Sequence, residues 1–190
     1  YAAEKLKTIA LVGAGFGDGA SNTAVNLASA LANEESRSVL LIDADLRYPS
    51  LHHVFNLPLG NGLSQYLVTT SETEPHLNRI KDNFYLLTAG SPQSASVGYL
   101  ESERFIGLLR LMEARFNHVL IDCPPIAAYS ETRVVASKAS GVLMVLNAGK
   151  TRKNVAITVK KSLQEAKAEI LGVVLNRRKF YIPDWIYQRV

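Results

Sequence analysis

The sequence predicts an α/β fold, a parallel sheet with helices on both faces. Three observations predict it. Short apolar runs of strand length alternate with stretches of helical periodicity along the 190 residues. Two of those runs, Val39–Ile42 and Val119–Ile121, are followed directly by aspartate, Asp43 and Asp122. The first run, Thr8–Val12, opens into a glycine-rich loop and then a helix. Strands alternating with helices imply βαβ units, and those units build parallel sheets whose ligands sit at the carboxyl edge.

In chain order, Thr8–Val12 is rich enough in branched residues to be a buried strand. Gly13, Gly15, Gly17 and Gly19 come next at alternate positions, and from Ser21 onward Ala24, Leu27, Ala28 and Leu31 recur at helical spacing. A strand, a glycine loop and a helix start leave backbone N–H groups facing outward, with the helix dipole favouring an anion. Against the pattern G-x-x-x-x-G-K-[ST], Gly19 and Ser21 take the second glycine and the hydroxyl. Ala14 then stands at the first glycine and Ala20 at the lysine. A rival alignment runs Gly15, Gly17, Ala20 as G-x-G-x-x-A, the dinucleotide fingerprint. A glycine-rich turn with no ligand is the third reading.

The second strand, Val39–Ile42, ends in Asp43 and Asp45. Carboxylates there can hold Mg²⁺ or orient a nucleophile, cap a following turn, or bind a ribose in a dinucleotide enzyme. Asn56–Gly62 is a turn region, Leu63–Val68 a short helix, and Thr69–Pro75 a polar loop. Asn83–Thr88 reads as a strand, and Ala89–Gly98 as a small, polar loop able to lie over the site. Glu101–Phe116 is a helix with Phe105, Leu108, Leu109, Met112 and Phe116 on one face, which plain core packing explains.

His118–Asp122 is a buried strand ended by Pro124 and Pro125. A strand-end acid after an apolar run is the Walker B arrangement, whose carboxylate holds magnesium, usually through water. Cys123 reads as a small packing residue, since no base is evident beside it. Ser130–Ala139 is a short helix, Gly141–Leu146 a strand, Thr151–Lys167 a long amphipathic helix, and Ile170–Leu175 the last of six strands, ended by Asn176. The tail from Arg177 is basic and aromatic. It divides the chain into a domain over residues 1–176 and a tail over 177–190, which packs on the domain, docks on a partner or membrane, or presents Tyr181 and Tyr187 for phosphorylation.

Composition narrows the function classes. The longest apolar stretches are about six residues, too short to span a bilayer. A single cysteine excludes an internal disulfide and fits a reducing compartment. The net charge of +4 is modest and lies largely at the two ends, with no basic stripe of the kind nucleic acid demands.

Three acid-bearing stretches together carry a resemblance. Leu40-Leu-Ile-Asp-Ala-Asp-Leu-Arg-Tyr-Pro-Ser-Leu-His-His-Val-Phe55 closely resembles the Walker A′ stretch of bacterial tyrosine kinases (BY-kinases). These are the cytoplasmic domains of polysaccharide co-polymerases and belong with MinD/ParA-type P-loop ATPases. Gly62-Leu-Ser-Gln-Tyr-Leu67 is similar to the family's next element, Val119–Pro125 to its Walker B, and Gly172–Asn176 to its last strand. Glu131 stands where the family usually has aspartate. The resemblance covers about Lys7 to Asn176 and displaces the dehydrogenase reading.

The resemblance implies a P-loop NTPase-like sheet and a site for ATP or ADP with Mg²⁺ that phosphorylates a C-terminal tyrosine cluster, usually on another copy. By position, Gly17, Asp18, Gly19, Ala20, Ser21 and Asn22 would hold the nucleotide. Ser21, Asp43 and Asp122 would hold the metal, and Asp43, Asp45 and Asp122 would be catalytic, with Asp45 in the base-like role. Tyr181 and Tyr187 would be acceptors, although the tail lacks a dense tyrosine run. The implied partners are the cytoplasmic part of a membrane polysaccharide co-polymerase and other copies of the chain. The implied place is the inner face of the bacterial plasma membrane.

Two departures matter. The first is Ala20 in place of the lysine. Losing a cation paired with buried phosphate charge costs on the order of 2–5 kcal/mol. That is roughly 30- to several-thousand-fold in affinity. Lys150 and Arg152 are candidate replacements if the fold brings them to the loop. The second is at the start of the chain. The family carries an oligomer-forming helix before the first strand, whereas only seven residues precede Thr8, so the isolated chain is expected to be a monomer or weak dimer. Two functions are expected in consequence. One is a kinase-like module in exopolysaccharide or capsule biosynthesis or export with impaired or lost phosphoryl transfer. The other is an active ATP-dependent tyrosine autokinase, or a lysine-knockout of one.

Overall fold

The first strand carries its own explanation. In β1 (Thr8–Gly13) Ala10 and Val12 point to one side of the sheet and Leu11 to the other, and all three are fully buried. A strand buried on both faces must sit inside a sheet covered by helices on each side. The computed structural model describes residues 6–69, 74–94 and 96–178 and shows that arrangement.

The remaining elements are α1 (Ala20–Leu31), β2 (Val39–Asp43), α2 (Leu51–Val54), α3 (Leu63–Val68), β3 (Asn78–Lys81), β4 (Phe84–Leu87), α4 (Ser96–Glu101), α5 (Glu103–Arg115), β5 (His118–Asp122), α6 (Glu131–Lys138), β6 (Gly141–Asn147), α7 (Lys153–Glu165) and β7 (Ile170–Asn176). The strands form one sheet in the order β3-β4-β2-β5-β1-β6-β7. Every pairing is parallel except β3 with β4. Ala24 and Ala28 of α1 pack with Leu11, Leu41 and Leu120 on one face. Phe105 and Met112 of α5, Val135 of α6 and Leu163 of α7 pack with Val12, Ile42 and Ile121 on the other.

The expected fold class holds, with three differences in detail. Among the described residues the sheet has seven strands, not six: β3 is a four-residue antiparallel edge strand whose short, polar sequence carries little periodicity. The segment read as the loop Ala89–Gly98 runs into α4, which takes in Glu101, and the helix expected from Glu101 to Phe116 is α5, starting at Glu103. Ser102 separates them. Its backbone is extended, and its hydroxyl accepts from Phe105 N, so it caps α5 as a new helix start. Residues 179–190, with Tyr181 and Tyr187, lie outside the described residues. Among the described residues no helix is long and apolar enough to cross a membrane.

Candidate phosphate and metal site

The loop between β1 and α1 lies at the carboxyl edge of the sheet, and two glycines shape it. Gly17 and Gly19 hold φ of 80° and 88°, in the left-handed region that side chains resist. At Gly19 a Cβ would also strike Asn176 Nδ2 of β7. Gly19 is the N-cap of α1 and has no side chain to cap it; the first helical bond runs from Thr23 N to Gly19 O at 2.9 Å. The N–H groups of Ala20, Ser21 and Asn22 therefore have no acceptor within the helix.

Asp18 behaves differently from the other loop residues. Its side chain turns under the loop and is 4% exposed. Oδ2 accepts from Gly15 N at 2.8 Å, closing the 15–18 turn, and Oδ1 accepts from Thr151 Oγ1 at 3.0 Å. Its backbone N–H donates to Gly15 O at 3.4 Å, so side chain and N–H are both engaged inside the loop. Ala20 is buried and puts a methyl group where the motif has a lysine.

Asp43 and Asp122 end neighbouring strands in direct register. Both are buried. Asp43 Oδ1 accepts from Asp45 N at 3.1 Å, and Oδ2 from Ser50 N and Leu51 N at 3.2 and 3.1 Å. Burial outweighs those bonds and pushes the Asp43 carboxyl up from 3.8 to about 7. Burial also raises Asp122 well above the usual carboxylate range, Asp43 adds to the rise, and the Ser21 hydroxyl bonded to it pulls the other way. The buried Oδ1 of Asp122 meets no donor among the described residues.

Asp45 is half-buried, and burial raises its carboxyl as well. Its Oδ1 accepts from Arg47 N and Tyr48 N at 3.2 and 2.9 Å, which forms the turn toward α2. Arg47 then reaches across to Glu131, Nε to Oε1 at 2.5 Å. Glu131 is buried in the first turn of α6, where the helix dipole also favours its charge. The guanidinium stands 5.6 Å from the centre of the Tyr129 ring, and Tyr129 meets Phe16 of the loop edge-on at 6.0 Å.

The structure thus brings Ser21, Asp43, Asp45 and Asp122 to one edge beside the loop. Cys123, next to them, is buried with its thiol pushed well up, chiefly by burial and then by Asp122, as a packing residue should be. The sequence reading missed two features: the inward turn of Asp18 and the Arg47–Glu131 pair. Spacing held a signal for the pair, since Glu131 opens a helix just after a strand-end acid; for Asp18 it held none.

The chain is 32% identical over 176 residues to the tyrosine-protein kinase YwqD of Bacillus subtilis, spanning 92% of this chain and 74% of that one. It belongs to the bacterial tyrosine-protein kinase family. The kinase domain of the Escherichia coli tyrosine kinase ETK superposes with a TM-score of 0.84 at 26% identity, covering 94% of this chain and 72% of that one. The cell-division ATPase MinD of Pyrococcus furiosus shares the fold, with a TM-score of 0.75 over 97% of this chain and 78% of its own, at 24% identity. No protein-family model matches the chain. Within this shared fold, the glycine loop of the chain joins an interior strand of the sheet to the helix after it.

Proposed function

We propose that this bacterial tyrosine kinase domain binds ATP or ADP with Mg²⁺ weakly and has impaired or lost phosphoryl transfer. It serves as a regulatory or scaffold module in exopolysaccharide or capsule assembly. Ala20 carries the reading. The loop keeps its outward N–H groups and the helix dipole, but the position that should set a full positive charge against the phosphates holds a methyl group.

The residues fit a hard divalent cation. The unpartnered Oδ1 of Asp122 and the Ser21 hydroxyl beside that carboxyl are oxygen donors of the right kind. No group of three His, Cys, Asp or Glu side chains converges as a metal cage among the described residues. Magnesium does not require one, because it keeps waters and takes phosphate oxygens as ligands. When bound, it neutralises charge on the phosphates and on the paired carboxylates. Ser21 and Asp122 would hold it, with Asp43 at their side. Asp45 would orient an incoming hydroxyl. Gly17 to Asn22 would cradle the phosphates through backbone N–H groups. The proposed partners are the cytoplasmic part of a membrane polysaccharide co-polymerase and other copies of the chain, at the inner face of the plasma membrane.

Calorimetry of the chain and of Ala20→Lys with ADP, with and without Mg²⁺, tests the reading. Weak, steeply magnesium-dependent binding that tightens by roughly 30-fold or more in Ala20→Lys is expected. Tight binding by the unaltered chain without magnesium, or no gain on adding the lysine, overturns it. A second reading, an active ATP-dependent tyrosine autokinase, has one observation in its favour. The ammonium of Lys150 lies 3.7 Å from where a Cβ on Gly17 would sit.

A further inference from the structure

Lysine on a surface turn ordinarily extends into solvent, and its approach to another loop means little unless something fixes the turn. Here the turn after β6 is fastened to the glycine loop. Asn147 Nδ2 donates to Gly17 O at 3.4 Å, and Thr151 Oγ1 donates to Asp18 Oδ1 at 3.0 Å. Within the turn, Thr151 Oγ1 accepts from Asn147 N at 3.0 Å, while Lys150 N and Thr151 N donate to Asn147 O at 3.1 and 2.9 Å. Gly149, at φ 85°, reverses the chain between them. From β7, Asn176 Nδ2 donates to Asp18 O at 2.9 Å and pins the same stretch of loop from a third strand. The backbone that carries Lys150 is therefore tied to the loop that its ammonium overhangs.

The charges around the site give the position meaning. Asp43, Asp45 and Asp122 line one side of the loop, and Asp18 lies beneath it. Arg47, the cation on the acidic side, is held by Glu131. Lys150 makes no salt bridge among the described residues, and its ammonium stands over Gly17, whose backbone is open on that side. Arg152 is the N-cap of α7 and exposed. A phosphate cradled by the loop would meet the charge of Lys150 on the Gly17 side, whereas a lysine at position 20 would approach from the helix start.

We infer that Lys150 is a phosphate-binding residue of this chain, supplying from the 147–151 turn the positive charge that Ala20 does not. The inference rests on the loop being a nucleotide phosphate site. Its ligand is the terminal phosphate of a magnesium nucleotide. An exposed ammonium is partly screened by water, so it replaces only part of what a buried lysine gives. Binding is then weak but real, and it depends on Lys150.

The test compares Lys150→Met and Lys150→Arg in two backgrounds, the unaltered chain and Ala20→Lys, by calorimetric titration with Mg·ADP. Thermal melting checks each variant for folding. In the unaltered chain Lys150→Met should weaken binding about tenfold or more, and Lys150→Arg by less than about threefold, because charge rather than shape is needed. In Ala20→Lys the loss on Lys150→Met should shrink below about threefold, because the second cation makes the first redundant. Three results overturn the inference while leaving the nucleotide site standing. They are no loss in the unaltered chain, an equal loss in both backgrounds, or binding seen only in Ala20→Lys. Binding in neither background overturns the nucleotide reading itself, and the inference with it.

Discussion

Asp43 and Asp122 face one another across β2 and β5, two buried carboxyls at the ends of adjacent parallel strands. Such a pair cannot be fully ionised at low cost without a cation. Burial raises both, and Asp43 titrates at about 7 instead of 3.8. In the folded state the proton is held more tightly than in the unfolded chain. The stability that these carboxyls contribute is therefore complete below about pH 4 and is lost as pH rises through 7. His52 and His118, which burial lowers, act in the opposite sense below their ordinary 6.5. Thermal melts without metal should show the contribution of these carboxyls to Tm falling between about pH 4 and 7, with the fall reduced in Asp122→Asn. Parallel pH profiles for the unaltered chain and the variant would refute the pairing argument.

Asp18 places a negative charge directly under a loop that is built to receive anions. Asp18→Asn keeps an acceptor for Gly15 N and an amide for Thr151, but removes the charge. Removing a like charge from beneath a bound anion strengthens binding, so Mg·ADP affinity should rise by roughly tenfold or more. Unchanged or weaker binding in Asp18→Asn, measured by calorimetry, would show that the carboxylate serves loop geometry alone.

The Arg47–Glu131 pair joins the β2–α2 turn to α6. Glu131 is 3% exposed on its side chain and Arg47 is 32% exposed, so the acid bears most of the cost if the pair is broken. Arg47→Met should lower the midpoint of urea unfolding. Adding Glu131→Gln should recover much of that loss, because the buried charge goes with it. A double variant no more stable than Arg47→Met would argue against an electrostatic origin.

If phosphate is transferred to this chain in its native cell, the expected acceptors are Tyr181 and Tyr187, close to the basic residues Arg177, Arg178 and Lys179, where the added charge can pair. Mass spectrometry of protein from that cell is the check. Phosphotyrosine confined to positions 1–176 would reject the expectation.

The strand–loop–helix start, both strand-end acids and Ser21 were legible in the sequence because each is a local pattern. A run of apolar residues fixes a strand, and the residue just past the run falls at the sheet edge. Lys150 and Thr151 belong to a turn whose meaning depends on Gly17 and Asp18, more than 130 positions away in the chain. No periodicity encodes that contact. β3 escaped for a different reason. Four residues pairing antiparallel at an edge, with Ile80 as their one apolar side chain, leave almost no alternation to read. Ser102 lies just ahead of the apolar stripe that begins at Phe105, and a lone serine there carries too little pattern to mark where α4 ends and α5 begins.

Cys123 turns the site into its own clock. It is the chain's one cysteine, it comes directly after Asp122, and burial suppresses its thiolate. A thiol reagent can reach it only when the end of β5 opens, so the labelling rate measures the frequency of that opening. A nucleotide that ties Asp122 to the loop would slow the reaction. Occupancy of the site can then be timed in the unaltered chain with no tag or introduced probe, even at affinities too weak for calorimetry to resolve.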